Sequence, residues 1–196
     1  MLPKLFLGTT NPVKIAIVQA AICSLPLEML IPSDLGVNIQ VEETGQTTLE
    51  NASIKARVYC ELTSLPTLAI DGGLWIEKFP VEKQPGARVK RIGGKDEAVL
   101  EYYVRELERV GGESPCTWEG SLAMAFPDGR LITDTYRTQS ILTTRAHRTA
   151  VPGIALASIT MNPLNRKYQS EMAWGEYPDV EKIRAFLQKW FCSSFL

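Results

Sequence analysis

Apolar and polar positions follow two different periods along the chain, and these periods predict strands and helices in turn. Short apolar runs and two-residue alternation predict strands, whereas apolar residues three to four positions apart predict helices. The predicted elements, in chain order, are a strand at 5–7, a helix at 13–25, a strand at 37–41, a helix from Thr48, a strand at 66–70, a helix at 96–110, strands at 117–126 and 131–142, and a helix at 178–191.

This order of elements is typical of an α/β fold with a mixed sheet. Strands that alternate with helices favour parallel pairing, whereas the last two strands flank the turn Pro127-Asp128-Gly129 and form a predicted hairpin. Segments 26–36, 77–94 and 143–165 read as loops because proline and glycine interrupt them. No internal repeat divides the chain, so we expect one α/β domain over 1–196.

Composition narrows the classes of function. The 196 residues include 21 Lys and Arg against 22 Asp and Glu, a net charge of −1 that argues against binding nucleic acid through bulk positive charge. We expect neither a membrane span, since no apolar run reaches roughly 18 residues, nor a signal peptide. Four scattered cysteines indicate reduced thiols in a cytoplasmic protein. With His147 as the single histidine, we expect catalysis to rest on carboxylates, lysines and a metal.

The first candidate for chemistry is Thr9-Thr10-Asn11-Pro12-Val13-Lys14, at the junction of the first strand and helix. Backbone N–H groups at a helix start, together with hydroxyl, amide and ammonium groups, favour a phosphate. The glycines of a Walker motif are missing here. A capped helix start with an exposed lysine is the alternative interpretation.

The second candidate begins at Glu42-Glu43-Thr44-Gly45 and continues on the helix that follows. Gly45 allows the chain to turn, so that Glu43 points away from the sheet edge. Asn51 and Lys55 are four residues apart and therefore project from one face of the helix. A solvated helix face is the alternative interpretation.

The third candidate is Asp71, followed by Gly72 and Gly73 at the predicted C-terminal end of a buried strand. Ligands and metals gather at such strand ends in α/β sheets, and glycines allow a ligand to approach the backbone closely. A plain tight turn is the alternative. Taken together, Glu43 and Asp71 with Lys14 and Lys55 suit a Mg²⁺–polyphosphate, because carboxylates ligate Mg²⁺ and lysines offset phosphate charge.

Four blocks of residues in this order resemble the inosine triphosphate pyrophosphatase family. The longest and most specific block is uninterrupted, and Pro85-Gly86-Ala87-Arg88 looks like the Pro-Gly turn of that family. The matching blocks are 9–14, 42–56, 65–74 and 126–129. The resemblance implies an elongated α/β fold with a long mixed sheet flanked by helices, a cleft between two lobes, and a homodimer.

The same resemblance implies Mg²⁺-dependent hydrolysis of a nucleoside triphosphate to the monophosphate and pyrophosphate. Asp71 would be the general base or a metal ligand, and Glu43 would bind the metal. The substrate-binding residues that it implies are Thr9, Thr10, Asn11, Lys14, Asn51, Lys55, Gly72, Lys90 and Lys167.

The sequence departs from the family pattern in two regions. Ile70 replaces an acidic residue before the catalytic Asp, and Gly72 replaces a Ser or Thr after it. The base-binding loop, which should fall near 151–159, lacks its aromatic residue and its Asp, and the late Ser-His-Arg has no clear match. We therefore expect an altered base preference, since a pocket that loses its polar partners loses discrimination. His147 either substitutes at the base or belongs to a basic surface loop.

Two other interpretations remain open at this level. The departures at Ile70 and Gly72 also suit a nucleotide-binding or regulatory protein that kept the fold and lost the chemistry. The Thr-Thr-Asn-Pro-Val-Lys start also looks like the separate inosine/xanthosine triphosphatase family, and Maf-type pyrophosphatases share the fold. The block at 42–56 and Asp71-Gly72-Gly73 fit those two families less well.

Overall fold

The computed structural model describes residues 2–89, 95–147 and 151–194, with strands and helices in alternation. The strands are β1 (Lys4–Leu7), β2 (Glu28–Leu30), β3 (Thr67–Ile76), β4 (Glu113–Ala125), β5 (Leu131–Thr143) and β6 (Thr160–Met161). The helices are α1 (Pro12–Ile22), α2 (Thr48–Thr63), α3 (Asp96–Glu108) and α4 (Pro178–Ser194).

The described strands form a mixed sheet in the order β2-β1-β3-β4-β5-β6. β1 pairs in parallel with β2 and with β3, and β5 pairs in antiparallel fashion with β6. β4 and β5 flank the Pro127-Asp128-Gly129 turn, where the Phe126 N–H donates to the Arg130 carbonyl at 3.0 Å. The predicted α/β class with a mixed sheet is therefore confirmed.

Local sequence signals fix the starts of the helices that matter for the site. Asn11 caps α1 by accepting from the Val13 N–H at 2.9 Å, and Pro12 follows at the first helical position. α2 begins with a capping box, in which Thr47 accepts from the Glu50 N–H and Glu50 accepts from the Thr47 N–H. Both helix starts are thus specified by residues within the predicted motifs.

The chain divides into two compact units, each with its own apolar core. The first unit comprises residues 1–71, 120–136 and 174–196, and the second comprises 72–119 and 137–173. In the first unit, small residues of α2 pack against small residues of the sheet; they are Ala52, Ala56, Cys60, Ala69, Ala123 and Ala125. The core of the second unit is built from larger side chains, which include Leu74, Ile76, Val99, Tyr103, Leu107 and Leu142.

Several predicted elements differ from the structure. The strand predicted at 37–41 is wrong, because this segment pairs with no strand and Ile39 is exposed. The short strands β2 and β6 fall in segments that were expected to be loops. β3 is longer than predicted, since it continues through Gly72 and Gly73 to Ile76. Among the helices of the described residues, none is long and apolar enough to cross a membrane.

Candidate active site

Asp71 is a buried carboxylate in the middle of β3, only 5% exposed. The expectation that it ends a strand, and the alternative of a tight turn, are both wrong because β3 runs on for five more residues. In the sheet, β3 lies between β1 and β4, and β1 pairs with β3 at Thr67 and Leu68. A buried carboxylate costs free energy unless cations or hydrogen-bond donors surround it. For Asp71 these groups are Lys55, Lys14 and Asn51.

Lys55 provides the nearest positive charge and bridges two carboxylates. Its Nζ donates to Asp71 Oδ1 at 2.8 Å and to Glu43 Oε1 at 3.0 Å. Lys55 and Asp71 are both buried, whereas the Glu43 side chain is about a third exposed, at 36%. α2 is therefore not a solvated helix face here: it delivers an ammonium group into the sheet.

Lys14 adds a second cation from α1. Its Nζ donates to the Ile70 carbonyl at 2.8 Å and lies 3.8 Å from Asp71 Oδ1. Lys55 donates to the same Ile70 carbonyl at 3.2 Å. The Ile70 carbonyl thus holds both ammonium groups beside one carboxylate. Sequence reasoning could not find this role, because it depends on a main-chain atom and not on the side chain.

Asn51 connects Asp71 to the loop that carries Glu43. It is fully buried, its Oδ1 accepts from the Gly45 N–H at 2.9 Å, and its Nδ2 donates to Asp71 Oδ2 over 3.4 Å. A Cβ on Gly45 would lie 2.7 Å from Asn51 Oδ1, so only glycine allows this close approach. The predicted shared face of Asn51 and Lys55 is confirmed, since both side chains reach Asp71.

Buried hydroxyl groups anchor the start of α2 to the sheet. Thr48 Oγ1 lies 2.7 Å from Ser121 Oγ on β4, and Ser121 Oγ lies 3.2 Å from Thr135 Oγ1 on β5. Thr48 and Ser121 are both almost completely buried. Buried polar groups that are satisfied in this way fix one arrangement, so the network sets the position of the helix that carries Lys55.

The predicted phosphate-binding turn at the start of α1 has a clear local geometry. Thr9 Oγ1 accepts from the Asn11 N–H at 3.1 Å, and Asn11 Oδ1 caps the helix. Thr10 is exposed. The side-chain oxygens of Thr9 and Asn11 therefore shape the turn, and the turn places Lys14 one helical turn from the cap.

The carboxylates of Glu43 and Asp71 are a suitable oxygen donor pair for a divalent cation. Each has an oxygen within about 3 Å of the same cationic nitrogen, that of Lys55. In residues 2–89, 95–147 and 151–194 no three His, Cys, Asp or Glu side chains cluster as a metal site. Mg²⁺ commonly uses one or two carboxylates and completes its shell with water and substrate phosphates, so this pair fits such an ion.

Three of the predicted substrate-binding residues fall outside the described part of the first unit. Gly72 and Lys167 belong to the second compact unit, and Lys90 lies outside the described residues. A Cβ on Gly72 would make only ordinary contact, 3.8 Å from the Glu119 carbonyl oxygen. The structure therefore supplies no steric reason for glycine at 72.

His147 lies in a polar cluster of the second unit. Its Nδ1 is 3.2 Å from Ser170 Oγ, its Nε2 is 3.7 Å from Glu171 Oε1, and its ring stacks on Tyr168 with centroids 5.5 Å apart. The side chain is about a third exposed, at 31%. His147 is therefore held by neighbouring polar and aromatic groups.

These features define a mixed α/β protein with a buried carboxylate–lysine cluster between a capped helix and a central strand. Residues 5–149 match the Ham1 family model, so the chain belongs to the Ham1 family. This finding confirms the resemblance to the inosine triphosphate pyrophosphatases.

Two curated relatives are similar to this chain over part of their length. A dITP/XTP pyrophosphatase of Leptospira interrogans is 38% identical over 93 residues, which are 47% of this chain and 46% of that protein. A dITP/XTP pyrophosphatase of Thermus thermophilus is 33% identical over 129 residues, 64% of this chain and 61% of that protein. The chain thus spans about half to two thirds of the length of these relatives.

Solved structures agree with the fold over nearly the whole chain. A HAM1 protein from Coxiella burnetii superposes with a TM-score of 0.77 at 20% identity, covering 96% of this chain and 100% of that chain. The Ham1 protein of Staphylococcus aureus superposes with a TM-score of 0.74 at 19% identity, covering 95% and 98%. At these identities the likeness establishes the fold alone.

Proposed function

We propose that this protein is a Mg²⁺-dependent nucleoside triphosphate pyrophosphatase, which hydrolyses non-standard purine nucleoside triphosphates to the monophosphate and pyrophosphate. One observation carries the proposal: Lys55 bridges Asp71 and Glu43 while Lys14 lies beside Asp71. The names of the curated relatives, dITP/XTP pyrophosphatases, support the same reaction.

The lysines and the helix start would bind the phosphates. When substrate binds, the Lys14 ammonium would exchange its contact with Asp71 for one with a phosphate oxygen, and the Lys55 ammonium would do the same with its contact to Glu43. The remaining substrate-binding residues that we propose are Thr9, Thr10, Asn11, Asn51, Gly72, Lys90 and Lys167. The α1 N-terminus adds the partial positive charge of a helix dipole.

Asp71 would accept the proton of the attacking water as the bridge between the α and β phosphates breaks. Asn51 holds one oxygen of Asp71, and the two lysines face the other, so the carboxylate has a fixed orientation. Glu43 and Asp71 would hold Mg²⁺, which polarises the phosphoryl group when it is bound.

The choice of base would differ from that of the family. The segment near 151–159 lacks the aromatic and acidic residues of the family loop, and this supports an altered preference among purines. The resemblance supports a homodimer, and the net charge of −1 supports a partner set without nucleic acid. Free thiols at Cys23, Cys60 and Cys116 support a reducing compartment such as the cytoplasm.

Incubation of the chain with Mg²⁺ and a panel of nucleoside triphosphates, including the inosine and xanthosine forms, tests this function. We expect pyrophosphate and monophosphate in equal amounts, no orthophosphate, and no turnover in the presence of EDTA. Reaction in ¹⁸O-labelled water shows which phosphorus is attacked. Release of orthophosphate would contradict the cleavage position, and tight binding without turnover would favour the nucleotide-binding alternative.

A further inference from the structure

Tyr59 lies on the face of α2 that carries Asn51 and Lys55. The three residues are four positions apart, and side chains at that spacing share one face of a helix. Tyr59 is only 4% exposed, and its hydroxyl donates to the Ile39 carbonyl at 3.3 Å. The buried face of α2 therefore extends one turn beyond the residues that reach Asp71.

The segment that carries Glu43 follows this face of α2 in the opposite direction. Three successive turns of the helix each make one hydrogen bond to the segment: the Gly45 N–H donates to Asn51, Lys55 donates to Glu43, and Tyr59 donates to the Ile39 carbonyl. The helix therefore holds the segment at residues 39, 43 and 45. Because Glu43 lies between the other two attachment points, its position depends on both of them.

The ring of Tyr59 occupies space that Gly8 leaves open, directly before the predicted phosphate-binding turn. A Cβ on Gly8 would lie 2.7 Å from Tyr59 Cδ2, so the ring packs against the main chain at this point. The same ring lies against Phe6, with centroids 5.7 Å apart. Phe6 belongs to β1 and Gly8 directly follows that strand. The ring therefore supports the chain where it leaves β1 and enters the turn at Thr9.

We propose that Tyr59 is a positioning residue for the phosphate-binding and metal-binding groups of the site. Its ring sets the start of the turn that leads through Thr9 to Asn11, and its hydroxyl holds the segment that carries Glu43. The inference rests on the proposed function and extends it to a residue outside all four matched blocks. Tyr59 needs no contact with the substrate for this role.

One rigid side chain couples the turn before α1 to the segment before α2. A tyrosine has only two rotatable side-chain bonds, so a ring that is fixed at Gly8 also fixes its hydroxyl at Ile39. Ordering a main-chain segment during binding costs free energy, and contacts that exist beforehand remove this cost. The substrate therefore meets a turn and a carboxylate that are already in place.

The first test removes the hydroxyl of Tyr59 and keeps its ring. Tyr59→Phe should raise the Mg²⁺ concentration for half-maximal pyrophosphate release about threefold, because the loss of one neutral hydrogen bond loosens the segment that carries Glu43. KM for the nucleotide at saturating Mg²⁺ should change less than about twofold. Calorimetry of tripolyphosphate binding at several Mg²⁺ concentrations should show the same shift without any turnover.

Tyr103→Phe is the matched control for this test. Tyr103 is also buried, and its hydroxyl donates to the Val89 carbonyl at 3.3 Å, the distance that separates the Tyr59 hydroxyl from the Ile39 carbonyl. Tyr103 belongs to the second unit, so its variant should lower Tm and leave the Mg²⁺ requirement unchanged. An equal shift in both variants, or no shift in Tyr59→Phe, would overturn the role of the hydroxyl.

The second test asks whether the ring acts at Gly8. Gly8→Ala places a methyl group against the ring and should weaken binding of Mg²⁺–tripolyphosphate about tenfold, as measured by calorimetry. In a chain that also carries Tyr59→Ala the methyl group has room, so Gly8→Ala should then change binding less than about twofold. Equal weakening with and without the Tyr59 ring would overturn the role of the ring.

Two further variants secure the second test. Gly175→Ala is the control for the added methyl group and should leave binding unchanged, because a Cβ there meets no atom within 4 Å. If the cavity left by Tyr59→Ala prevents folding, Tyr59→Leu takes its place, since leucine is smaller and can rotate away from residue 8.

The two tests separate failure of the positioning role from failure of the proposed function. A wild-type chain that binds Mg²⁺–tripolyphosphate but releases no pyrophosphate from any nucleotide contradicts the function, while the binding measurements still decide the role of Tyr59. Turnover by wild type, with no Mg²⁺ shift in Tyr59→Phe and no coupling between Gly8 and Tyr59, contradicts the role of Tyr59 alone. A chain that neither turns over nor binds tripolyphosphate contradicts both.

Discussion

The Lys55 ammonium donates to the Asp71 carboxylate at 2.8 Å inside the protein, where both side chains are at most 10% exposed. Glu43 shares the same ammonium from the more exposed side. A buried charge without a partner is strongly unfavourable, so each member of this trio depends on the others. The cluster that is proposed to bind phosphate is therefore also part of what holds the loop at 42–47 against the sheet.

Lys55→Met should weaken both the reaction and the fold. Its removal leaves two carboxylates without their shared cation, and we expect a loss of about 2–3 kcal/mol in the free energy of unfolding, reduced from the fully buried case because Glu43 is partly exposed. Urea denaturation measures this loss. Millimolar Mg²⁺ should stabilise the variant more than wild type. An unchanged free energy of unfolding would contradict the shared role of the ammonium.

Gly45→Ala should disturb the loop without removing any charged group. The new methyl group would lie 2.7 Å from Asn51 Oδ1 and 2.7 Å from Glu50 Cβ, so the loop must shift. We expect about 1–3 kcal/mol of destabilisation together with a fall in kcat/KM. Gly175→Ala is the control, since a methyl group there meets no atom within 4 Å. Equal Tm values for the two variants would contradict this account.

Asn51→Asp tests the neutrality of the group beside Asp71. The change replaces the Asn51 amide N–H donor, which is fully buried, by a carboxylate oxygen. The new carboxylate then lies against the Asp71 carboxylate, where the amide had donated a hydrogen bond to it. One of two adjacent carboxyl groups then holds a proton to higher pH, so the variant should be most destabilised at neutral pH and recover as pH falls. Asn51→Leu, which is uncharged, should show no such recovery. Thermal unfolding of both variants between pH 8 and 5 distinguishes them.

The pH dependence of stability has a separate source in the second unit. The hydrogen bond from Lys83, 2.5 Å long, lowers the pKa of Glu106 against the opposing effect of burial, and Arg109 adds to the lowering. Because the folded pKa lies below the unfolded value near 4.5, the stabilisation is present above that value. It is lost as pH falls through the lower, folded pKa.

Glu106→Gln should therefore be less stable than wild type at pH 7 and should lose less stability on acidification. The measurement is the urea midpoint at several pH values from 7 to 3. Glu101→Gln is the charge-matched control, because Glu101 is exposed on the same helix, α3. Parallel pH profiles for wild type and Glu106→Gln would show that this carboxylate does not contribute.

Sequence periodicity correctly predicted which side chains share a face of helix α2. Asn51 and Lys55 share a face at a spacing of four residues, and both reach Asp71 as that spacing predicts. It failed at 37–41, because two-residue alternation indicates a half-buried strand but cannot supply a pairing partner. The predicted strand also stopped at residue 70, because paired glycines are read as turn formers, whereas β3 continues through both of them to Ile76.

Sequence periodicity could not predict contacts between segments that are far apart in the sequence. The Tyr136 hydroxyl donates to Asp179 Oδ1 at 2.6 Å although the two residues are 43 positions apart, and no local pattern links them. One signal was present: Gly120 within a predicted strand indicates close approach of another group, which is the ring of Tyr136. The Ile70 carbonyl, which accepts from both lysines, carries no signal in its side chain.

The most direct test of the central claim compares wild type with Asp71→Asn for pyrophosphate formed per monophosphate from inosine triphosphate and Mg²⁺. We expect a ratio of one for wild type. For the folded variant we expect turnover lower by about a thousandfold or more, because Asn cannot accept the proton of water. Undiminished pyrophosphate release by Asp71→Asn would contradict the assignment of Asp71, and orthophosphate in place of pyrophosphate from wild type would contradict the proposed reaction.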